Sequence, residues 1–193
     1  MKKLNMVKKY IRIIGGTYRR TPIPVPEVAG LRPTPDRVRE TLFNWLTYFW
    51  SGEFADKKVL DLFAGSGALG FEAASRGVGH VQMVERDPQA AAALRALRDK
   101  LDASAVRIQA GDASVTLGRL EAARFNLIFL DPPFDSDWLD RLWPLLPDLL
   151  QPGGLVYIEA GTDITVPAGF NVLRQDRAGN VHYQLIQIAA MQK

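Results

Sequence analysis

Four residues at one strand end carry the most specific chemistry in this 193-residue chain: Asp131-Pro132-Pro133-Phe134. They follow Phe125–Leu130, an almost wholly apolar run of the kind that forms a central strand covered on both faces. Ligands of α/β folds bind at the carboxyl ends of such strands. The two prolines remove two N–H donors and stiffen the turn, leaving their carbonyls as acceptors. A carboxylate beside a free carbonyl suits an exocyclic base amine, a poor nucleophile whose lone pair is delocalised into the ring. The Asp131 carboxylate and the Pro132 carbonyl can hold its two hydrogens. Phe134 can stack on the base, a contact worth ~1–3 kcal/mol. Alignment of that amine is a large source of rate, since effective molarities of ~10⁵ M or more are attainable. A strand-ending turn capped by Ser136 accounts for the prolines but not for the acid and the ring at these spacings.

The second constellation is Asp61-Leu62-Phe63-Ala64-Gly65-Ser66-Gly67-Ala68-Leu69-Gly70, which leaves one strand and opens a helix. By its letters, Gly65-x-Gly67-x-x-Gly70 is a dinucleotide fingerprint, and Glu85 stands where an acid grips ribose hydroxyls. A nicotinamide or flavin dehydrogenase fits those letters, and so does a purely structural turn. Asp61 points elsewhere, because a plain dinucleotide fold keeps apolar residues at that strand end. Asp-x-Phe-x-Gly-x-Gly resembles motif I of S-adenosylmethionine-dependent methyltransferases. That resemblance places Asp61 near the cationic methionine moiety, with Phe63, Gly65 and Gly67 in the cofactor turn. It sets Glu85 on the ribose and Gly111-Asp112-Ala113 beside the adenine. Asp112 reads equally well as a helix N-cap.

The elements that must position these groups follow from periodicity. Val59–Phe63, Val81–Glu85, Val106–Gln109, Phe125–Leu130 and Leu155–Glu159 read as strands alternating with helices, which means a parallel sheet with right-handed crossovers. Asp87-Pro88 starts the helix carrying Ala90, Leu94, Leu97 and Leu101 on one face. A short helix spans about 113–120, and a helical region over 137–150 is interrupted by Pro144 and Pro147. Phe170–Arg174 and Tyr183–Ile188 form a closing hairpin with an antiparallel strand. Upstream, Val38, Leu42, Trp45, Leu46 and Phe49 mark a helix from about Pro35 to Phe49, capped by Thr34 or Asp36. Before it, Tyr10–Ile14, a tight turn at Gly15-Gly16 and an extended piece from Tyr18 to Pro26 read as a small hairpin. The expected division is a basic arm over residues 1–34 and a catalytic domain over 35–193.

Composition sets the outer limits. The chain lacks cysteine, which excludes disulfides, thiolate metal sites and Cys nucleophiles, and its two histidines lie far apart, so no metal is expected. No apolar run approaches the roughly 18 residues of a membrane span, and Met1–Lys9 is basic without a secretory h-region, so a cytoplasmic protein with no membrane role is expected. The net charge of +3 hides an asymmetry. Residues 1–40 hold ten Lys/Arg against three acids, a net +7, whereas the remainder holds fourteen against eighteen, a net −4. A basic arm on an acidic body either meets a polyanion or is a solvated tail.

Four segments together resemble the bacterial RsmD family: Arg12-Ile13-Ile14-Gly15-Gly16, the stretch Leu31–Leu46 (LRPTPDRVRETLFNWL), Phe63–Gly70 and Asp131–Phe134. The resemblance runs from about residue 11 to 188. It implies a Rossmann-like class I methyltransferase fold, α/β, with a seven-stranded mostly parallel sheet and an antiparallel C-terminal hairpin strand. It implies methyl transfer from S-adenosyl-L-methionine to N2 of a guanine in 16S rRNA of the small ribosomal subunit, by a monomer. Asp131, Pro132 and Phe134 are then catalytic. Asp61, Phe63, Gly65, Gly67, Glu85, Asp112 and Ala113 bind the cofactor. Arg12, Tyr18, Arg19, Arg20, Arg32, Arg37 and Arg39 are the expected RNA contacts, although Arg32 and Arg37 can instead line the cofactor pocket or pair with Glu40 and Asp36. An N6-adenine methyltransferase acting on RNA or DNA uses the same turn, and a non-catalytic RNA-binding assembly factor is the alternative from another class.

Overall fold

The computed structural model describes residues 10–28, 33–120, 125–133 and 136–189. Strands β1 (Tyr10–Arg12) and β2 (Pro22–Pro24) pair antiparallel, with Ile11 opposite Ile23. Helix α1 (Asp36–Phe49) follows, then β3 (Lys58–Asp61), α2 (Ala68–Ser75), β4 (His80–Glu85), α3 (Pro88–Leu101), β5 (Val106–Ala110), α4 (Ala113–Leu117) and β6 (Phe125–Leu130). The chain continues through two short helices, α5 (Trp138–Leu142) and α6 (Leu146–Leu149), into β7 (Leu150–Ala160), β8 (Phe170–Ala178) and β9 (Val181–Ile188). Strand order in the main sheet is β5-β4-β3-β6-β7-β9-β8, parallel from β5 to β7 and antiparallel thereafter. The seven expected strands are all present. Among the described residues, no helix is long and apolar enough to cross a membrane.

Alternation along the strands divides the core into two layers. On one face Val59, Val81, Met83, Leu127, Phe129 and Tyr157 pack under α1, α2 and α3. On the other, Leu60, Val84, Ile128, Leu130, Val156 and Ile158 pack under α4, α5 and α6. The stripe of α1 buries Val38, Leu42 and Leu46 as its spacing requires. Pro144 and Pro147 divide the 137–150 region into α5 and α6, since neither proline can donate to a continuing helix.

Three local expectations are corrected. Neither Thr34 nor Asp36 caps α1: Pro35 occupies the cap position without a side-chain hydrogen bond. The Thr34 side chain instead hydrogen-bonds Glu159, and Asp36 pairs with Arg39 at 2.6 Å. The Gly15-Gly16 pair makes no tight hairpin turn either. Residues 13–21 form a longer loop held against α2, with Ile13 and Ile23 fully buried in the first core layer. Finally, β7 begins at Leu150, so Pro152-Gly153-Gly154 lies within a strand whose pairing shifts register between Phe125 and Leu127 of β6.

Candidate active site

The carboxyl ends of β3, β6 and β7 bring three acids together. Asp61 ends β3 opposite Phe129, and Leu130 pairs with Ile158, so the next residues, Asp131 just past β6 and Glu159 near the end of β7, stand side by side. Asp61 is 2 % exposed and its Oδ2 accepts the Gly70 N–H at 3.1 Å. Burial pushes the Asp61 carboxyl up to about 7, the Gly70 hydrogen bond opposing it and the charges of Glu85 and Glu159 adding to it. Burial first, then the charges of Glu159 and Asp61, holds Asp131 well above the usual carboxylate range. Glu159 is likewise pushed up to about 7 by burial, moderated by hydrogen bonds from Thr34 and Tyr157 and by the Arg39 charge. The Tyr157 hydroxyl donates to Glu159 Oε1 at 3.0 Å. Perturbed acids clustered at a sheet's ligand-binding edge are a functional signal with a stated cause.

The glycine turn is built for close approach. Gly65 and Gly67 have φ of 53° and 80°, the left-handed region that L side chains avoid. A Cβ on Gly67 would lie 2.5 Å from Leu94 Cδ2 and 2.7 Å from Phe71 Cδ2, so only glycine fits there. Glu85 ends β4 and fastens this turn to the next. Its Oε2 accepts the Gly65 N–H at 2.8 Å and its Oε1 accepts the Asp87 N–H at 2.7 Å. Each oxygen keeps a further lone pair for a ligand hydroxyl. Phe63 is half-buried and meets Trp138 edge-on at 5.2 Å, and the Arg141 guanidinium lies over the Trp138 ring at 4.4 Å. Asp112 caps α4, accepting the Ser114 N–H at 2.8 Å, and hydrogen bonds from Ser114 hold its carboxyl below the usual range. Ala113, the next residue, is buried. A buried acid beside a tight glycine turn and an acid with spare acceptors suit a ligand with a cationic end and a ribose, as S-adenosylmethionine has.

At the strand end, Asp131 is half-buried, Pro132 is buried and Pro133 is exposed. Phe134 and Arg32 lie outside the described residues. In the N-terminal region, Arg12, Arg19, Arg20 and Arg37 are exposed, and Arg12 meets Asp36 at 3.5 Å. Tyr18 is half-buried against the first core layer. Arg39 corrects an expectation. Its side chain is fully buried and bonds the carbonyls of Thr34 and Arg12, Asp36 and Glu72. Its donors are engaged by protein acceptors, so it does not offer an RNA contact.

Glu159, Glu72 and Ser75 were not marked as site residues by sequence reasoning, and Thr34 only as a helix cap. Glu159 had a usable signal, because an acid closing the apolar run Leu155–Ile158 repeats the pattern of Asp61, Glu85 and Asp131. Glu72, an acid in the otherwise apolar helix ALGFEAAS, carried a similar one.

A family model described as "Conserved hypothetical protein 95" matches residues 11–187. The chain is 40% identical over 188 residues to "Ribosomal RNA small subunit methyltransferase D" of Escherichia coli (strain K12), covering 92% of this chain and 89% of the relative. The protein of the same name from Haemophilus influenzae is 36% identical over 197 residues, covering 97% and 100%. A solved structure described as "Putative methyltransferase yhhF from Escherichia coli" superposes with a TM-score of 0.81 at 39% identity, covering 95% of this chain and 100% of the other.

Proposed function

The chain belongs to the family described as "Conserved hypothetical protein 95", with the small-subunit ribosomal RNA methyltransferases D among its relatives, and from that membership we propose that it methylates the exocyclic N2 of a guanine in 16S rRNA. It is an S-adenosylmethionine-dependent methyltransferase of ribosomal RNA. The observation that supports the amine as acceptor is the place of Asp131: at the end of the central strand, beside Glu159, with Pro132 and Pro133 following.

S-adenosylmethionine supplies an electrophilic sulfonium methyl group. Asp61 would face its cationic end, Glu85 would accept from its ribose hydroxyls, and the Gly65–Gly67 turn would lie against it. Asp131 in its ionised form accepts one amine hydrogen and the Pro132 carbonyl accepts the other. Together they turn the nitrogen lone pair toward the methyl carbon. Phe134 stacks on the base. The amine would shed a proton as the N–C bond forms and the methyl–sulfur bond breaks, the donor leaving as a neutral thioether, and the raised proton affinity of Asp131 suits it to take that proton. The exposed Arg12, Arg19, Arg20 and Arg37 bind RNA phosphates and deliver the base.

The deciding experiment is tritiated methyl transfer to unmodified small ribosomal subunits, followed by nucleoside mass spectrometry. The expected product is N2-methylguanosine. N6-methyladenosine would transfer the mechanism to another base, and absence of transfer to any subunit or assembly intermediate would overturn the enzyme reading in favour of an assembly factor.

A further inference from the structure

Glu72 is fully buried on α2, where an ionised carboxylate is tolerated only with partners. Two of those partners come from the N-terminal loop. The carboxylate accepts the Ile14 N–H at 2.7 Å and the Gly15 N–H at 2.9 Å. It also meets Arg76 Nε at 2.9 Å and Arg39 Nη1 at 3.5 Å. Nearly one helical turn on, Ser75 grips the same loop. Its Oγ accepts the Tyr18 N–H at 2.9 Å and donates to the Gly15 carbonyl, while its own carbonyl accepts the Thr17 N–H at 2.7 Å. A Cβ on Gly16 would lie 1.8 Å from the Ser75 carbonyl oxygen, so the loop closes on the helix backbone itself. Arg39 completes the clamp from α1 through the Arg12 carbonyl at 2.9 Å.

The residues that follow the clamp are exposed cations. Arg20 is held in the left-handed region at φ 68°, with its N–H on the Ile13 carbonyl at 2.8 Å. A non-glycine backbone of that kind persists only where its surroundings impose it. The helix providing the clamp starts directly after Gly67 of the cofactor turn. One eight-residue helix therefore carries the donor turn at one end and the cationic loop at the other.

We propose that Glu72 and Ser75 are positioning residues for the RNA substrate, clamping the 13–18 loop to α2 so that Arg19 and Arg20 meet the RNA backbone in a fixed relation to the methyl donor. The inference rests on the ribosomal RNA reading above. A clamp that merely stabilised the fold would lower apparent kcat through the amount of folded enzyme and leave KM for RNA unchanged. A positioning clamp alters the RNA constant alone.

The test compares wild type with Ser75→Ala, which spares the buried ion cluster, and Glu72→Gln. Three quantities are measured: KM for unmodified small subunits, Kd for S-adenosylmethionine, and amide exchange at residues 14–18. Both variants are expected to speed exchange at those amides. KM for subunits should rise about fivefold or more through lost preorganisation, with cofactor Kd unchanged. Faster exchange with unaltered KM overturns the proposal, as does a parallel loss of cofactor affinity. Arg19→Glu/Arg20→Glu separates the two readings. If that double variant leaves KM unchanged, the RNA role of the loop fails and the proposal falls with it. If it raises KM while Ser75→Ala does not, the clamp alone is refuted.

Discussion

Asp61 makes a stability prediction of opposite sign to its role in binding. In the unfolded chain its carboxyl releases its proton near 3.8, whereas in the folded protein it holds it to about 7. Between those values the native state binds more protons than the unfolded one. The Asp61 contribution to stability is therefore fully present below about pH 4 and is lost as pH rises through about 7. A rise from 3.8 to about 7 corresponds to roughly 4 kcal/mol at about 1.4 kcal/mol per tenfold, an upper bound because the neighbouring acids titrate with it. Asp61→Asn mimics the protonated carboxyl, and its amide oxygen still accepts the Gly70 N–H. Without cofactor, Asp61→Asn should melt above wild type at pH 8 by a clearly larger margin than at pH 5, where only about 1.6 of the roughly 4 kcal/mol is already lost. At about 2–4 °C per kcal/mol for a chain of this size, the gap at pH 8 approaches 10 °C. S-adenosylmethionine affinity should fall in the same variant, because the carboxylate proposed to face the cationic end is gone. The assay is calorimetric melting of both proteins at pH 5, 6.5 and 8, with binding titrations at pH 8. Equal melting temperatures at pH 8, or a variant less stable than wild type there, would refute the argument that burial strains this carboxylate.

Three further outcomes are expected. Asp131→Ala should abolish methyl transfer while cofactor Kd stays within about twofold, since the partner proposed for Asp131 is the amine; near-normal turnover would sink the mechanism. Gly67→Ala should lose cofactor binding and unfold at lower temperature, because its Cβ would meet Leu94 and Phe71 at 2.5 and 2.7 Å in a left-handed backbone; unchanged melting and titration curves would contradict the close-approach reading. Subunit affinity should weaken with salt at a log–log slope near −3, about −0.7 for each of the four exposed arginines 12, 19, 20 and 37; a slope near zero would remove the arm from the interface.

Much of the sheet was legible because β3, β4, β6 and β7 each carry an apolar run closed by an acid, and α1 and α3 show a helical period. Asp87-Pro88 shows the local case: the side chain accepts the Ala90 N–H at 2.9 Å and the proline sits in the first turn. The acids Asp61, Glu85 and Asp131 stood out for the same reason, as charges ending buried strands. What escaped depends on chain segments distant in sequence. Gly15-Gly16 reads locally as a hairpin turn, but Gly16 is needed because Ser75, 59 positions away, lies against it. Arg39 looks like any arginine of a basic arm until Glu72 and the Arg12 carbonyl surround it. Pro152-Gly153-Gly154 reads as punctuation, and in the fold it is the irregularity of β7 between Leu150, which pairs with Phe125, and Leu155, which pairs with Leu127.

The acids at the carboxyl ends of the strands set a negative crevice in a protein whose substrate is a polyanion. Asp61, Asp131 and Glu159 repel one another and resist ionisation where they stand, so the folded protein alone is penalised for them above neutral pH. A cation placed among them relieves that repulsion, and the methyl donor carries cationic groups. Binding of the donor should therefore favour ionisation of Asp61, and ionised Asp131 is the form that accepts the amine hydrogen. On the proposed roles, charge orders the events: donor first, then RNA held by the arginines of the loop clamped at the far end of α2. The positive loop and the negative crevice are thus kept on separate elements, joined by α2. Exchanging their charges would leave the net value of +3 nearly unaltered and destroy both functions.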